Sequence, residues 1–154
     1  MNKIYCPNKA LWLLLAMTFL LSGCALQLVS DYDEKSLESM ERVAQKVNRF
    51  YLGLSYKAKD ERLFKASHSA YLNIEADLEA LQNRQMIRPM NELTLKQVEI
   101  TLKLWREDRL RHKAADSLSD FLIKRRKSQY QRLFLAMIKG EEAKQKVTAD
   151  GKKI

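Results

Sequence analysis

One thiol in the chain stands in a setting that could do chemistry. Leu21-Ser22-Gly23-Cys24 places a cysteine behind two small residues and a leucine, at the end of the unbroken apolar run Ala10 to Leu21. Lys3 and Lys9 are the charged residues before Asp31. A thiolate is the cysteine form that attacks an electrophile, so the chemistry open to Cys24 is that of an alkylated thiol. Ser22 and Gly23 leave room for a membrane-embedded peptidase to reach the bond before Cys24, and Leu21 suits an apolar recognition site. A bilayer-spanning helix needs about 20 apolar residues, so the Ala10–Leu21 run is too short to be one and has the proportions of the middle of a secretory signal.

The four residues resemble a bacterial lipobox. The expectation is a cleaved lipoprotein signal peptide over residues 1–23, lipid on Cys24, and a short lipidated tether over 24–30. A lipobox product normally carries two or three acyl chains, enough for stable anchoring. Cys6 falls in the discarded segment, which leaves one cysteine and no disulfide in the mature chain. Ala25 stands where an aspartate would favour retention at the inner membrane, so the expected location is the cell envelope, at the periplasmic face of a Gram-negative outer membrane.

Other chemistry is poorly represented. His68 and His112 are isolated and lie in no HExxH pattern, so no metal and no cofactor are expected. No Gly-x-Ser-x-Gly elbow and no phosphate-cradling glycine pattern occur. Glu141 and Glu142 are adjacent and would point apart on a helix, and Asp77 has no partner identifiable from sequence. No catalytic residues are assigned, and the chain is read as a non-enzyme.

Charge is more informative. The formal net charge is +9. Without Lys3 and Lys9 the excess sits entirely in residues 121–154, which hold ten bases against three acids. Lys124, Arg125, Arg126 and Lys127, with Arg132 a turn later, form a basic cluster near a helix start, where positive charge opposes the helix dipole. Local helix stability does not account for it. It is a candidate surface for an acidic envelope protein or an anionic glycolipid. Nucleic acid is not expected, because secretion removes the chain from the cytoplasm.

These features require helices to position them. Glycines number 4 and prolines 2, and strand signals are scarce, so the fold class is all-α. Leu37, Met40, Ala44, Val47, Tyr51 and Leu54 follow helical spacing, widened by Val43 and Phe50, behind an acidic start at Asp31, Asp33, Glu34, Glu38 and Glu41. A second stripe runs through Phe64, Ser67, Tyr71, Ile74, Leu78 and Leu81, with Asp60 as its expected cap and an end before Pro89. Thr94-Leu95-Lys96-Gln97 reads as a capping box, with Leu93 and Val98 as its hydrophobic staple, ahead of the stripe Leu95, Val98, Leu102 and Trp105. Ser117 or Ser119 would cap a fourth helix bearing Leu122, Ile123, Tyr130, Phe134, Met137 and Ile138. The architecture expected is an antiparallel bundle of four helices (three being the alternative) over residues 31–144, followed by a basic tail over 145–154. In an up-down-up-down bundle the tail would lie at the membrane end and the Arg125 cluster at the distal end. A second copy could complete exposed stripes.

Asp31-Tyr32-Asp33-Glu34 soon after the lipobox, Asn91-Glu92-Leu93-Thr94 with Gln97, and Leu118-Ser119 leading to Phe134, Ala136, Lys139, Glu141, Ala143 and Lys144 carry a resemblance over about residues 24–144. The chain resembles a family of small, uncharacterised helical lipoproteins of Gram-negative bacteria. The resemblance implies an anchored helical bundle and no catalytic residues. "KRRK" is more basic than the family pattern, and Gly140 stands where an apolar residue is usual. The function expected is that of a membrane-anchored envelope lipoprotein, a non-enzymatic adaptor or accessory protein in the periplasm. The alternative is a module that binds anionic lipid or lipopolysaccharide headgroups through the basic C-terminal helix and tail.

Overall fold

The structure, a computed structural model, describes residues 29–151, with side chains over 29–146. The expected signal peptide over 1–23, the expected lipidation site at Cys24, most of the expected tether and the end of the tail lie outside the described residues. Four long helices are present: α1 Glu34–Ser55, α2 Phe64–Met86, α3 Glu92–Ala115 and α4 Asp120–Gly151, with a short 3-10 turn, Lys59–Glu61, between α1 and α2. No strand occurs among the described residues. The bundle has four helices, not three.

Every neighbouring pair runs antiparallel. Asp33 at the start of α1 meets Glu141 near the end of α4, Ser36 meets Gln85 at the end of α2, and Phe64 at the start of α2 meets His112 at the end of α3. One end of the bundle therefore gathers the start of α1, the α2–α3 turn and the late part of α4. The far end gathers the α1–α2 and α3–α4 connections. The start of α4, with its basic cluster, is at the far end.

The periodic apolar residues form the core. Met40, Val43, Val47, Tyr51 and Leu54 on α1 pack with Tyr71, Ile74, Leu78 and Leu81 on α2. Val98, Leu102 and Trp105 from α3 and Ile123, Tyr130, Phe134 and Met137 from α4 complete it. Phe50, Tyr51, Tyr71, Trp105 and Tyr130 form a mostly edge-to-face aromatic cluster, the arrangement that ring quadrupoles favour. The Trp105 indole N–H donates to the Tyr71 carbonyl at 2.9 Å, so this large ring is buried without stranding its polar group.

Helix starts depart from the sequence expectation in an instructive way. Asp60 lies in the 3-10 turn and caps nothing. The Phe64 N–H is instead taken by the carboxylate of Asp116, 52 residues away, which follows α3 in a left-handed conformation (φ 49°). Helix α3 starts at Glu92, with Asn91 before it. Thr94, the expected cap, lies inside the first turn and accepts from Lys144, and Leu93 is exposed and staples nothing. The starting position moved because Asn91 is tied into a buried network described below. Ser119 does cap α4, accepting the Leu122 N–H, while Ser117 donates to the Lys59 carbonyl. Helix α2 ends at Met86, ahead of Pro89 as expected. Helix α4 continues without a break through the expected boundary at residue 144 to Gly151.

Candidate partner-docking surface and the ion pairs beneath it

Helical geometry decides what the basic run can do. Successive residues point about 100° apart, so four adjacent cations cannot share one face. Lys124 and Arg125 are exposed, and Lys127 is half-buried. Arg132 is exposed and donates to Ser128 Oγ. Arg126 turns inward: it is 7% exposed and donates Nε–H to Asp108 at 2.7 Å. The expected cluster is thus split, and Arg126 does not belong to the outer surface.

Asp108 is the hub of the far half. It accepts from Arg126, from the Tyr51 hydroxyl at 2.9 Å and from the Tyr130 hydroxyl at 3.0 Å. Burial pushes its carboxyl above the ordinary value, against the pull of the Tyr51 bond, the Arg126 charge and the Tyr130 bond. Burial likewise raises the Tyr51 and Tyr130 phenols, which stay O–H donors. Nearby, His112 Nε2 sits 2.8 Å from the Arg62 carbonyl and Nδ1 sits 3.3 Å from the Tyr71 hydroxyl. A carbonyl can only accept, so Nε2 carries the proton, and Nδ1 accepts from Tyr71 in the neutral ring. Burial lowers the His112 pKa, with the Arg62 bond opposing it.

A second network fills the near end. Glu141 is wholly buried and accepts from Arg88 at 2.7 Å, Lys144 at 2.8 Å and the Asp33 backbone N–H at 2.8 Å. Burial pushes its carboxyl up, and these bonds, Arg88's first, outweigh that and hold it below the usual value. Lys144 also donates to Asn91 and Thr94. Gln85 joins Asn91 to Ser36, and Arg84 grips Asp33 through two bonds of 2.6 and 2.7 Å. Those bonds hold the Asp33 carboxyl far below its ordinary range. Glu142 points outward, as adjacency to Glu141 requires. Asp77 does have a partner, the Lys46 ammonium at 2.6 Å.

Three of these groups, His112, Asp33 and Glu141, have lowered pKa values and contributions to stability that are lost in acid, the two carboxylates together in the lower range. His112 has a folded pKa below its unfolded value of 6.5, so its contribution is full above that value and is lost as pH falls through the folded one. Asp33 is depressed from 3.8, so its contribution is full above about pH 4 and is lost only in stronger acid. Stability measured by denaturant titration at successive pH values should fall in two separate stages. His112→Gln should flatten the upper stage, and Arg84→Met should reduce the lower one to the part due to Glu141. An upper stage that persists in His112→Gln would assign it to another group.

With the inward cations matched, the outer faces offer the docking features. Between α1 and α4 runs a groove of about 400 Å³, lined by Ala44, Asn48, Lys127, Gln131, Leu135 and Ile138 among others. Asn48 Oδ1 is buried there with no hydrogen-bond partner, and such orphaned acceptors are rare. Leu135 is 51% exposed. Lys127 lies on the groove wall toward the start of α4, the part of the helix that also carries the exposed Lys124 and Arg125. His68 is exposed, and no group of three or more potential metal ligands occurs among the described residues. No protein-family model, curated protein or solved structure matches the chain.

Sequence reasoning placed Lys124, Arg125, Arg126 and Lys127 together on an outer surface, where only the first two are fully exposed, and it missed Asp108, His112 and Glu141 as buried partners. A signal for them was present. Asp108 and His112 continue the Val98–Leu102–Trp105 spacing, and Arg126, Glu141 and Lys144 continue the stripe of Tyr130, Phe134 and Met137. A charge at a stripe position must be buried or must break the stripe.

Proposed function

We propose that this protein is a lipid-anchored adaptor of the bacterial envelope, held at the periplasmic face of the outer membrane through Cys24. Its α1–α4 groove receives an apolar segment of a periplasmic partner that carries acidic residues at one end. The observation that carries this reading is the groove itself. It combines an apolar floor, an unpaired buried acceptor on Asn48 and a cationic end at Lys127, the three contact types a helix or strand of a partner would use. The polar side chains of the interior are, by contrast, largely committed to one another. No helix among the described residues is long and apolar enough to cross a membrane.

The test is photo-cross-linking in intact cells from a photoactivatable side chain at Gln131, on the groove wall, with adducts identified by mass spectrometry. Position 126 would report the interior instead. A discrete protein adduct that disappears in the charge-reversed variant Lys124→Glu/Lys127→Glu is the expected result. Those two side chains are outside the buried ion pairs, so circular dichroism should show unchanged helicity. Adducts with lipid or lipopolysaccharide only would overturn the adaptor reading and favour headgroup binding by the basic helix.

A further inference from the structure

The near end of the bundle exposes apolar side chains that the interior does not use. Met86 is 61% exposed, Ile87 81%, Met90 42% and Leu93 81%, all within the α2–α3 turn and the first residues of α3, and Val29 beside them is 39% exposed. The backbone at Met90 is left-handed (φ 53°), a conformation glycine adopts with ease, yet a long apolar side chain occupies it. The charges behind this turn are matched internally: Arg84 with Asp33, and Arg88 and Lys144 with Glu141.

The path of the chain places this turn. The Ser30 N–H donates to the Met90 carbonyl at 3.0 Å, and Ser30 Oγ donates to Asn91. The described chain therefore begins, at Val29, beside the α2–α3 turn. Fully extended, the stretch from Cys24 to Val29 reaches at most about 20 Å, comparable to the interfacial layer of one leaflet plus a short gap. An anchor at Cys24 thus holds this apolar turn against the membrane surface.

Building on the lipid-anchor reading above, we infer that the α2–α3 turn is a second membrane contact, in which Ile87, Met90 and Leu93 enter the lipid interface beside the anchor. Glu92, exposed between Met90 and Leu93, sets the depth: its carboxylate stays among headgroups and water, so the turn lies in the interface and not in the hydrocarbon. Helix α4 runs on at this end to Gly151, about two turns past Lys144. The turn is one footing of the bundle on the membrane and the Cys24 anchor the other. Contact at two points fixes the orientation of the domain and directs the basic start of α4 away from the membrane.

The test uses the full chain in intact cells, with a benzophenone side chain at Ile87, at Leu93 or, as a control, at Tyr56. Tyr56 is 84% exposed but lies at the far end of the bundle. Phospholipid or lipopolysaccharide adducts from Ile87 and Leu93 and none from Tyr56 are expected. Adducts with a second copy of this chain or with another protein at Ile87 would overturn the membrane contact, as would equal lipid labelling from Tyr56. The mass of the Cys24-containing peptide from the same cells keeps the two readings apart. An unmodified Cys24 sinks the anchor and the inference with it, whereas a lipidated Cys24 without lipid adducts at Ile87 sinks the inference alone.

Discussion

Asp108→Leu should cost about 3–5 kcal/mol of folding stability, because removing one partner of a buried ion pair leaves the other charge without compensation. The side chains of Arg126 and Asp108 are 9% and 5% exposed, so water cannot replace the lost carboxylate. The same change strands the Tyr51 and Tyr130 hydroxyls, which donate to Asp108, at about 1–3 kcal/mol for each buried donor left unsatisfied. Asp108→Leu combined with Arg126→Met should regain the part due to the uncompensated guanidinium, since apolar replacement of a whole buried pair is often close to neutral. The phenol part should persist until Tyr51→Phe and Tyr130→Phe are added. Chemical denaturation of the single and combined variants as a double-mutant cycle reads these parts separately. A single Asp108→Leu variant as stable as the parent would mean that this hub is not a buried ion pair in solution.

Arg88→Met should have a smaller effect, with an additional local consequence. Arg88 supplies two of the bonds to the wholly buried Glu141 carboxylate and also holds the Asp31 carbonyl and Ser30 Oγ. Its loss leaves Glu141 still paired with Lys144 and the Asp33 N–H, so the cost is that of the charge-assisted bonds removed, about 3 kcal/mol, equivalent to a fall in melting temperature on the order of 10 °C for a domain of this size. It also releases the segment ahead of α1 from the α2–α3 turn. Limited proteolysis should therefore open a new cleavage site within residues 29–33 of the variant while the α1–α4 core stays protected. Arg88→Lys retains the charge but not the forked donors, so it should restore part of the thermal stability and little of the protection ahead of α1. A proteolytic pattern unchanged in Arg88→Met would show that Ser30 and Met90 hold that segment without Arg88.

The difference between the Asp108 hub and the exposed basic residues shows where sequence reading stops. Lys124, Arg125, Arg126 and Lys127 are chemically alike in sequence, yet the third of them is core. Its position in the Ile123–Tyr130–Phe134 stripe was visible. Whether an inward arginine at that position could be tolerated depended on a carboxylate arriving opposite it from α3, and that depends on the register between two helices separated by a loop. The same holds for Glu141, two of whose donors come from far along the chain, Asp33 just ahead of α1 and Arg88 in the α2–α3 turn. The groove between α1 and α4 could not be read from the sequence at all, because it is a gap between surfaces and belongs to no single helix.

What the sequence by itself determined about this protein is local. The 3.6-residue period placed four apolar stripes, proline at position 89 marked the end of α2, and the scarcity of glycine and strand-forming runs set the helical class. Each of these follows from the conformational preferences of a residue and its neighbours within a turn or two. Tertiary structure alone decided which charged residues distant in the chain met and where α2 and α3 began. Asp116 caps a helix 52 residues before it in the chain, Asn91 is drawn into a buried network that moves the start of α3, and Arg126 is turned inward by Asp108. The physical reason is that a buried charge or an unpaired helix terminus is stable only beside a complementary group, and that neighbour is supplied by packing between helices whose mutual register no local pattern encodes.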